Sequence, residues 1–175
     1  NIWFNSIYIG GTGVGNSATP TFAIARTATA TDNFQNNIFV NNRSNATTGG
    51  KHYSIYLTTT ASFTLDYNDY YGNGTGYVFG FNVSADVPSY ASNWVAGDAH
   101  SYNLDPLFIN PTGTSATVDL HIDPINPTII EATGTSIVSV TNDFDNQTRA
   151  SLTPSDIGAD AGNFVNLLCN GTPPG

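Results

Sequence analysis

Asn37-Ile38-Phe39-Val40-Asn41-Asn42 returns about 31 residues later as Asn68-Asp69-Tyr70-Tyr71-Gly72-Asn73, a period within the range of stacked-repeat folds. Ser6-Ile7-Tyr8-Ile9-Gly10-Gly11 stands one such step before it, and Phe34 of one unit matches Leu65 of the next. A second series of apolar runs lies between these: Phe22-Ala23-Ile24-Ala25, Tyr53-Ser54-Ile55-Tyr56-Leu57 and Tyr77-Val78-Phe79-Gly80-Phe81. Each unit thus holds two or three short strands joined by Gly, Asn and Thr turns, and no segment sustains a helical period. Strands so short cannot bury an apolar face within one unit. Stacking the units at about 4.8 Å does bury it, so an all-β parallel solenoid is expected. A sandwich or barrel is the rival, and it would carry hairpin signals between neighbouring strands instead of a fixed return. Asn37 and Asn68, with Ser6 before them, occupy one position of the unit, where stacked amides can bond up and down a ladder.

The composition agrees with an all-β chain. Only Arg26, Arg43, Lys51 and Arg149 are basic, against thirteen acidic residues and a net charge of −9, with a pI near 4.2. Nucleic-acid binding requires clustered Lys and Arg and is excluded as a function; anionic membrane surfaces are disfavoured for the same reason. Charged residues make up only 10% of the chain and Glu131 is its one Glu, so solubility rests on Asn, Thr, Ser and Gly. This usage favours strands over helices and an extracellular setting. No stretch is long and apolar enough to span a membrane, and no signal peptide is recognisable. Beginning at Asn1 in mid-strand and containing no Met, the chain reads as a piece of something longer. The three parts expected are strand-bearing units over 1–92, a terminal unit and capping segment over 93–165, and a linker-like tail over 166–175. Cys169 is the only cysteine, so no intrachain disulfide is expected. Asn42, Asn45, Asn73, Asn82, Asn146 and Asn170 begin N-x-[ST] triplets, which carry glycans only in a eukaryotic secretory route.

The second half is not repetitive. Leu104-Asp105-Pro106-Leu107-Phe108, Asp119-Leu120-His121-Ile122, Asn126-Pro127-Thr128, Asp143-Phe144-Asp145-Asn146-Gln147-Thr148-Arg149 and Asp156-Ile157-Gly158-Ala159-Asp160 follow in order. This succession resembles the C-terminal region of bacterial right-handed parallel β-helix repeat proteins of the pectate-lyase-like superfamily. Those proteins commonly close with DPLF, LHL…SPA, D-x-D-G-x-x-R and DIGA segments. Here Thr128 stands in place of the last Ala of the second motif, Asn146 in place of the Gly of the third, and Ala161 where a Glu usually ends the fourth. The resemblance implies a right-handed parallel β-helix with an irregular C-terminal cap. The family includes polysaccharide lyases, glycosidases and large adhesive surface proteins. The tail Cys169-Asn170-Gly171-Thr172-Pro173-Pro174 also looks like junctions in type IX-secreted surface proteins.

Candidate chemistry is sparse. A lyase of this fold needs a base, and usually Ca²⁺ on clustered carboxylates; Arg26, Arg43 and Lys51 lie beside no acidic pair, and no Asp stacks one unit from Asp69. Glycoside hydrolysis needs two carboxyl groups, for which Asp66 with Asp69 or Asp98 with Asp105 are available. Asp98 and His100 sit in a Gly-rich turn near Trp94; together with Tyr67, Tyr70 and Tyr71 they are the candidate carbohydrate-binding residues. Tyr53 and Tyr56 are further tyrosines of that kind. Asp143, Asp145, Asp156 and Asp160 are expected to pair with Arg149 as a structural cap across the end of the stack. No histidine pair has metal-ligand spacing, so no metal is expected. No cofactor is expected either, with Ca²⁺ at Asp143-x-Asp145 the one ion left open. The expected function is a non-enzymatic module of a secreted or cell-surface protein, a stalk or adhesive surface contacting polysaccharide or surface glycan. The alternative is the C-terminal part of a polysaccharide lyase or glycosidase whose active site lies before Asn1.

Overall fold

The computed structural model describes residues 1–12, 18–152 and 155–167, and these form an all-β structure with a single 3₁₀ turn at Arg149–Ser151. Nine strands come from the repeating half, three from each unit: β1 (Ile2–Trp3), β2 (Ser6–Ile9), β3 (Thr21–Arg26), β4 (Asp32–Gln35), β5 (Ile38–Asn41), β6 (His52–Leu57), β7 (Phe63–Asp66), β8 (Asp69–Tyr71) and β9 (Tyr77–Asn82). Each unit places one strand in each of three small sheets, ordered β1-β4-β7, β2-β5-β8 and β3-β6-β9, and all of these pairs are parallel. A tenth strand, β10 (Ala85–Val87), turns back antiparallel on β9, and β11 (Phe108–Asn110) pairs with β12 (Asp119–Ile122) as a separate antiparallel ribbon.

The pairing corrects one expected register. Asp69 lies against Ile38 and Leu65 against Phe34, each separated by the expected step, but Ser6 also lies against Ile38 and not against Asn37. The first unit is therefore longer by a single residue, and Asn5, not Ser6, is the counterpart of Asn37. Asn5 Nδ2 donates to Asn37 Oδ1 at 2.9 Å, and Asn37 Nδ2 donates to Asn68 Oδ1 at 2.9 Å. Each backbone N–H joins the same acceptor: Asn5 N to Asn37 Oδ1 at 3.1 Å and Asn37 N to Asn68 Oδ1 at 3.0 Å. The residue before each ladder Asn adopts a left-handed conformation: Phe4 (φ 53°), Asn36 (φ 58°) and Tyr67 (φ 56°). That conformation turns the chain from the first sheet into the second. For Phe and Tyr it costs roughly 1–2 kcal/mol, which the amide bonds offset.

Two cores flank the β2-β5-β8 sheet. Alternation sends Phe39 and Tyr70 inward to meet Phe34, Leu65, Ile55, Leu57 and Phe79 from the other two sheets. It sends Ile38 and Val40 outward, where Ile122, Ile129, Ile130 and Ile157 of the C-terminal half cover them. All four residues of β5 are therefore buried, which is why this strand reads as a nearly continuous apolar run. Gly158 (φ 99°) lies close against this sheet: a Cβ there would sit 2.5 Å from Ile38 Cδ1 and 3.0 Å from Ser6 Oγ.

This arrangement also corrects the expected cap. Residues 156–160 lie along the flank, with Gly158 N donating to Asn36 O at 2.9 Å and Ala159 N to Ser6 Oγ at 3.0 Å. Val87, Tyr90, Trp94 and Val95 instead pack against the inner core, the Trp94 ring lying 4.9 Å edge-on to Phe79.

Candidate functional site

The structure divides the expected carbohydrate-binding residues into two sets. Tyr70 and Asp98 are fully buried and present no face to solvent. Asp98 terminates the amide ladder. Asn68 N donates to Ser101 Oγ at 2.8 Å, and Ser101 Oγ donates to Asp98 Oδ1; Trp94 Nε1 and the Tyr70 hydroxyl (3.2 Å) both donate to Asp98 Oδ2. Ser101 is thus the fourth rung, and burial pushes the Asp98 carboxyl up to about 6 despite its three donors. Asp98 and His100 make no pair. His100 Nδ1 instead lies 2.8 Å from Asp66 Oδ2, and the His100 backbone N–H donates to Asp66 Oδ1 at 2.7 Å.

The second set reaches the surface. The Tyr67 ring stacks on His100 at 4.7 Å with the planes 10° apart. The His100 side chain remains 57% exposed. Tyr71 is half-buried, its hydroxyl accepting from Asn73 Nδ2 at 3.2 Å. Trp94 is half-buried against the inner core. On the third sheet, Tyr56 lies between Phe22 (4.7 Å) and Phe81 (4.5 Å), so its neighbours in the stack cover its ring faces.

Three of the four basic residues are likewise engaged. Arg26 is buried, donating to Asp32 Oδ2 (2.7 Å) and to the carbonyls of Thr59, Ala30 and Ala61. Lys51 pairs with Asp86. Arg149 departs from expectation, since among the described residues it has no carboxylate partner within ion-pair distance. It donates to Gly158 O (3.0 Å), Ala159 O (2.7 Å) and Asn142 O (3.3 Å), and its guanidinium lies 4.1 Å over the Phe4 ring. The carboxylates expected around it bind backbone N–H groups instead. Asp156 accepts from Ala132 (2.9 Å) and Gly162 (3.0 Å), Asp160 from Ile122 (2.8 Å) and Asp143 from Gln147 (2.7 Å). Burial raises Asp156 to about 7. Backbone carbonyls can also accept from the guanidinium's five N–H donors, and they carry no signature in sequence. Cys169 and the tail beyond 167 lie outside the described residues.

One cluster is absent from the sequence reading. His121, on β12, meets Asp145 from the 142–148 turn and Asp160 from the flank segment; one ligand atom from each lies within 4.8 Å of the other two. Asp119 Oδ1 is 2.5 Å from His121 Nδ1, and Asp145 Oδ2 is 2.9 Å from Nε2. Asp119, His121 and Asp160 line a cavity of about 270 Å³ together with Phe144 and Leu120. The Asp119-x-His121 spacing is a usable signal, because alternate residues of a strand share a face. The partners at 145 and 160 are not legible, since only the folded path brings them there.

Comparison with protein-family models, with curated proteins and with solved structures found no match. Among the described residues no helix is long and apolar enough to cross a membrane.

Proposed function

We propose that this chain is the closing part of a right-handed parallel β-helix and acts as a non-enzymatic structural and adhesive module of a secreted or cell-surface protein. The observation that carries this reading is the ladder Asn5–Asn37–Asn68–Ser101, whose polar atoms face one another along the stack. Such a ladder holds successive units in register and offers nothing to a substrate. Nearly constant partner offsets in the first two sheets support the solenoid. Right-handedness follows from the strong general rule for parallel crossover connections, about 98% of which take that hand.

The buried carboxylates point the same way. Asp98 and Asp156 bind donors of their own chain, and Asp69 Oδ1 accepts from Leu104 N at 3.1 Å. None of them is open in the manner that glycoside hydrolysis requires. Contact with polysaccharide falls to the Tyr67–His100 pair, the one stacked platform of the expected set that reaches solvent.

Incubation with a panel of neutral and acidic polysaccharides tests this reading. The expected result is no new reducing ends and no unsaturated uronates, together with retardation by at least one polysaccharide in affinity electrophoresis that His100→Ala abolishes. Polysaccharide cleavage by the purified chain would overturn it, as would retardation indifferent to His100→Ala.

A further inference from the structure

Four chemistry-bearing side chains in the C-terminal half remain outside that reading: Asp119, His121, Asp145 and Asp160. The geometry points to a binding site for a divalent transition ion such as Zn²⁺, with His121 Nε2, Asp145 and Asp160 as ligands and Asp119 as the residue that positions the imidazole.

Three observations carry the assignment. First, Asp119 accepts from the Nδ1 side of His121 at 2.5 Å. With the proton held on Nδ1, Nε2 is the atom free to ligate, the carboxylate–histidine arrangement that prepares an imidazole to bind metal. Second, Nε2 lies only 2.9 Å from Asp145 Oδ2, a contact bridged by a proton on the ring in the metal-free chain and open to a cation that displaces that proton. Two electron-rich atoms at this distance require a proton or a cation between them. Third, the other carboxylate is fixed before any ion arrives. Asp160 is buried, and its Oδ2 accepts from Ile122 N at 2.8 Å.

The three ligand atoms lie within 4.8 Å of one another. Zn²⁺ bonds of about 2.1 Å in a tetrahedron need ligands roughly 3.4 Å apart, so closure requires only a small movement. Asp145 is exposed and sits on a turn, where movement is easiest. One imidazole with two carboxylates suits Zn²⁺ better than Ca²⁺, which prefers an all-oxygen shell. The adjoining cavity of about 270 Å³ leaves room for water as a fourth ligand.

The test is titration of the EDTA-stripped chain with ZnCl₂, followed by calorimetry and by the imidazole ¹⁵N signals of its three histidines. One Zn²⁺ per chain is expected, shifting the His121 ring while His52 and His100 stay in place. Asp145→Asn should weaken binding about tenfold or more without lowering the melting temperature in EDTA. Asp119→Asn should weaken it roughly tenfold and change the tautomer pattern of His121 in the metal-free chain. No Zn²⁺-dependent shift of His121, a shift of His100 in its place, or tighter binding of Ca²⁺ than of Zn²⁺ would overturn the assignment. These outcomes are independent of whether the chain binds polysaccharide.

Discussion

The two halves solve the same problem, satisfying buried polar groups, by opposite means. From Ile2 to Asn82 each ladder side chain meets its own counterpart one unit on, as Asn5, Asn37 and Asn68 do. From Asn103 onward polar groups meet unique partners, several of them far away in sequence. Asn36 and Thr135 exchange two bonds of 2.7 and 2.8 Å across 99 residues, and Ala159 N reaches Ser6 Oγ at 3.0 Å. A repeated interaction is simple to specify, because one residue type at one position serves every unit. A unique interaction allows varied chemistry, and the His121 cluster lies in the half built that way.

The largest effect should come from breaking the repeat. Asn37→Ala removes donors to Ile2 O, Gln35 O and Asn68 Oδ1 and the acceptor of Asn5. It leaves several buried groups unpaired, and a loss of about 3 kcal/mol or more is expected from denaturant unfolding. A loss under about 1 kcal/mol, no more than one ordinary hydrogen bond contributes, would mean that the ladder is not what holds the units together.

Breaking the covered flank should cost less. Gly158→Ala puts a Cβ against Ile38 Cδ1 at a left-handed backbone position, and about 2 kcal/mol of destabilisation is expected. Ile38 Cδ1 is the end of a flexible side chain that can yield partly, which is why the effect ranks below the ladder's.

Both halves contribute to a pH dependence. Burial raises Asp98 to about 6, Asp156 to about 7 and Asp69 to about 8, all from an ordinary value of 3.8. Each holds its proton more tightly folded than unfolded. Their stabilisation is therefore complete below about pH 4 and is lost as pH rises through the range of about 6 to 8. Thermal melts should show the melting temperature falling between about pH 5 and 8.5. Asp69→Asn should flatten the upper part of that fall, recovering on the order of 1 kcal/mol at the alkaline end. A melting temperature that rises over this interval would contradict the burial assigned to these carboxyls.

How far the sequence can be read follows the same division. Asn37 and Asn68 are visible as a ladder because their separation equals the pairing offset. Asn5 is hidden because its unit is one residue longer, so that Ser6 aligns in its place. Asp98 reads as a candidate carbohydrate-binding residue in a Gly-rich turn, since nothing local marks Ser101 as the rung that draws Asp98 inward. The acidic residues near Arg149 are legible as a group. Their partners are not, because backbone N–H and C=O groups look alike at every position.

Hydrogen exchange of the side-chain amides, resolved by NMR, tests the ladder most directly. The Nδ2 protons of Asn37 and Asn68 are expected to be protected as strongly as the backbone of β5, while those of Asn73 and Asn142, nearer the surface, exchange freely. Rapid exchange at Asn37 and Asn68, equal to that of Asn73 and Asn142, would contradict it.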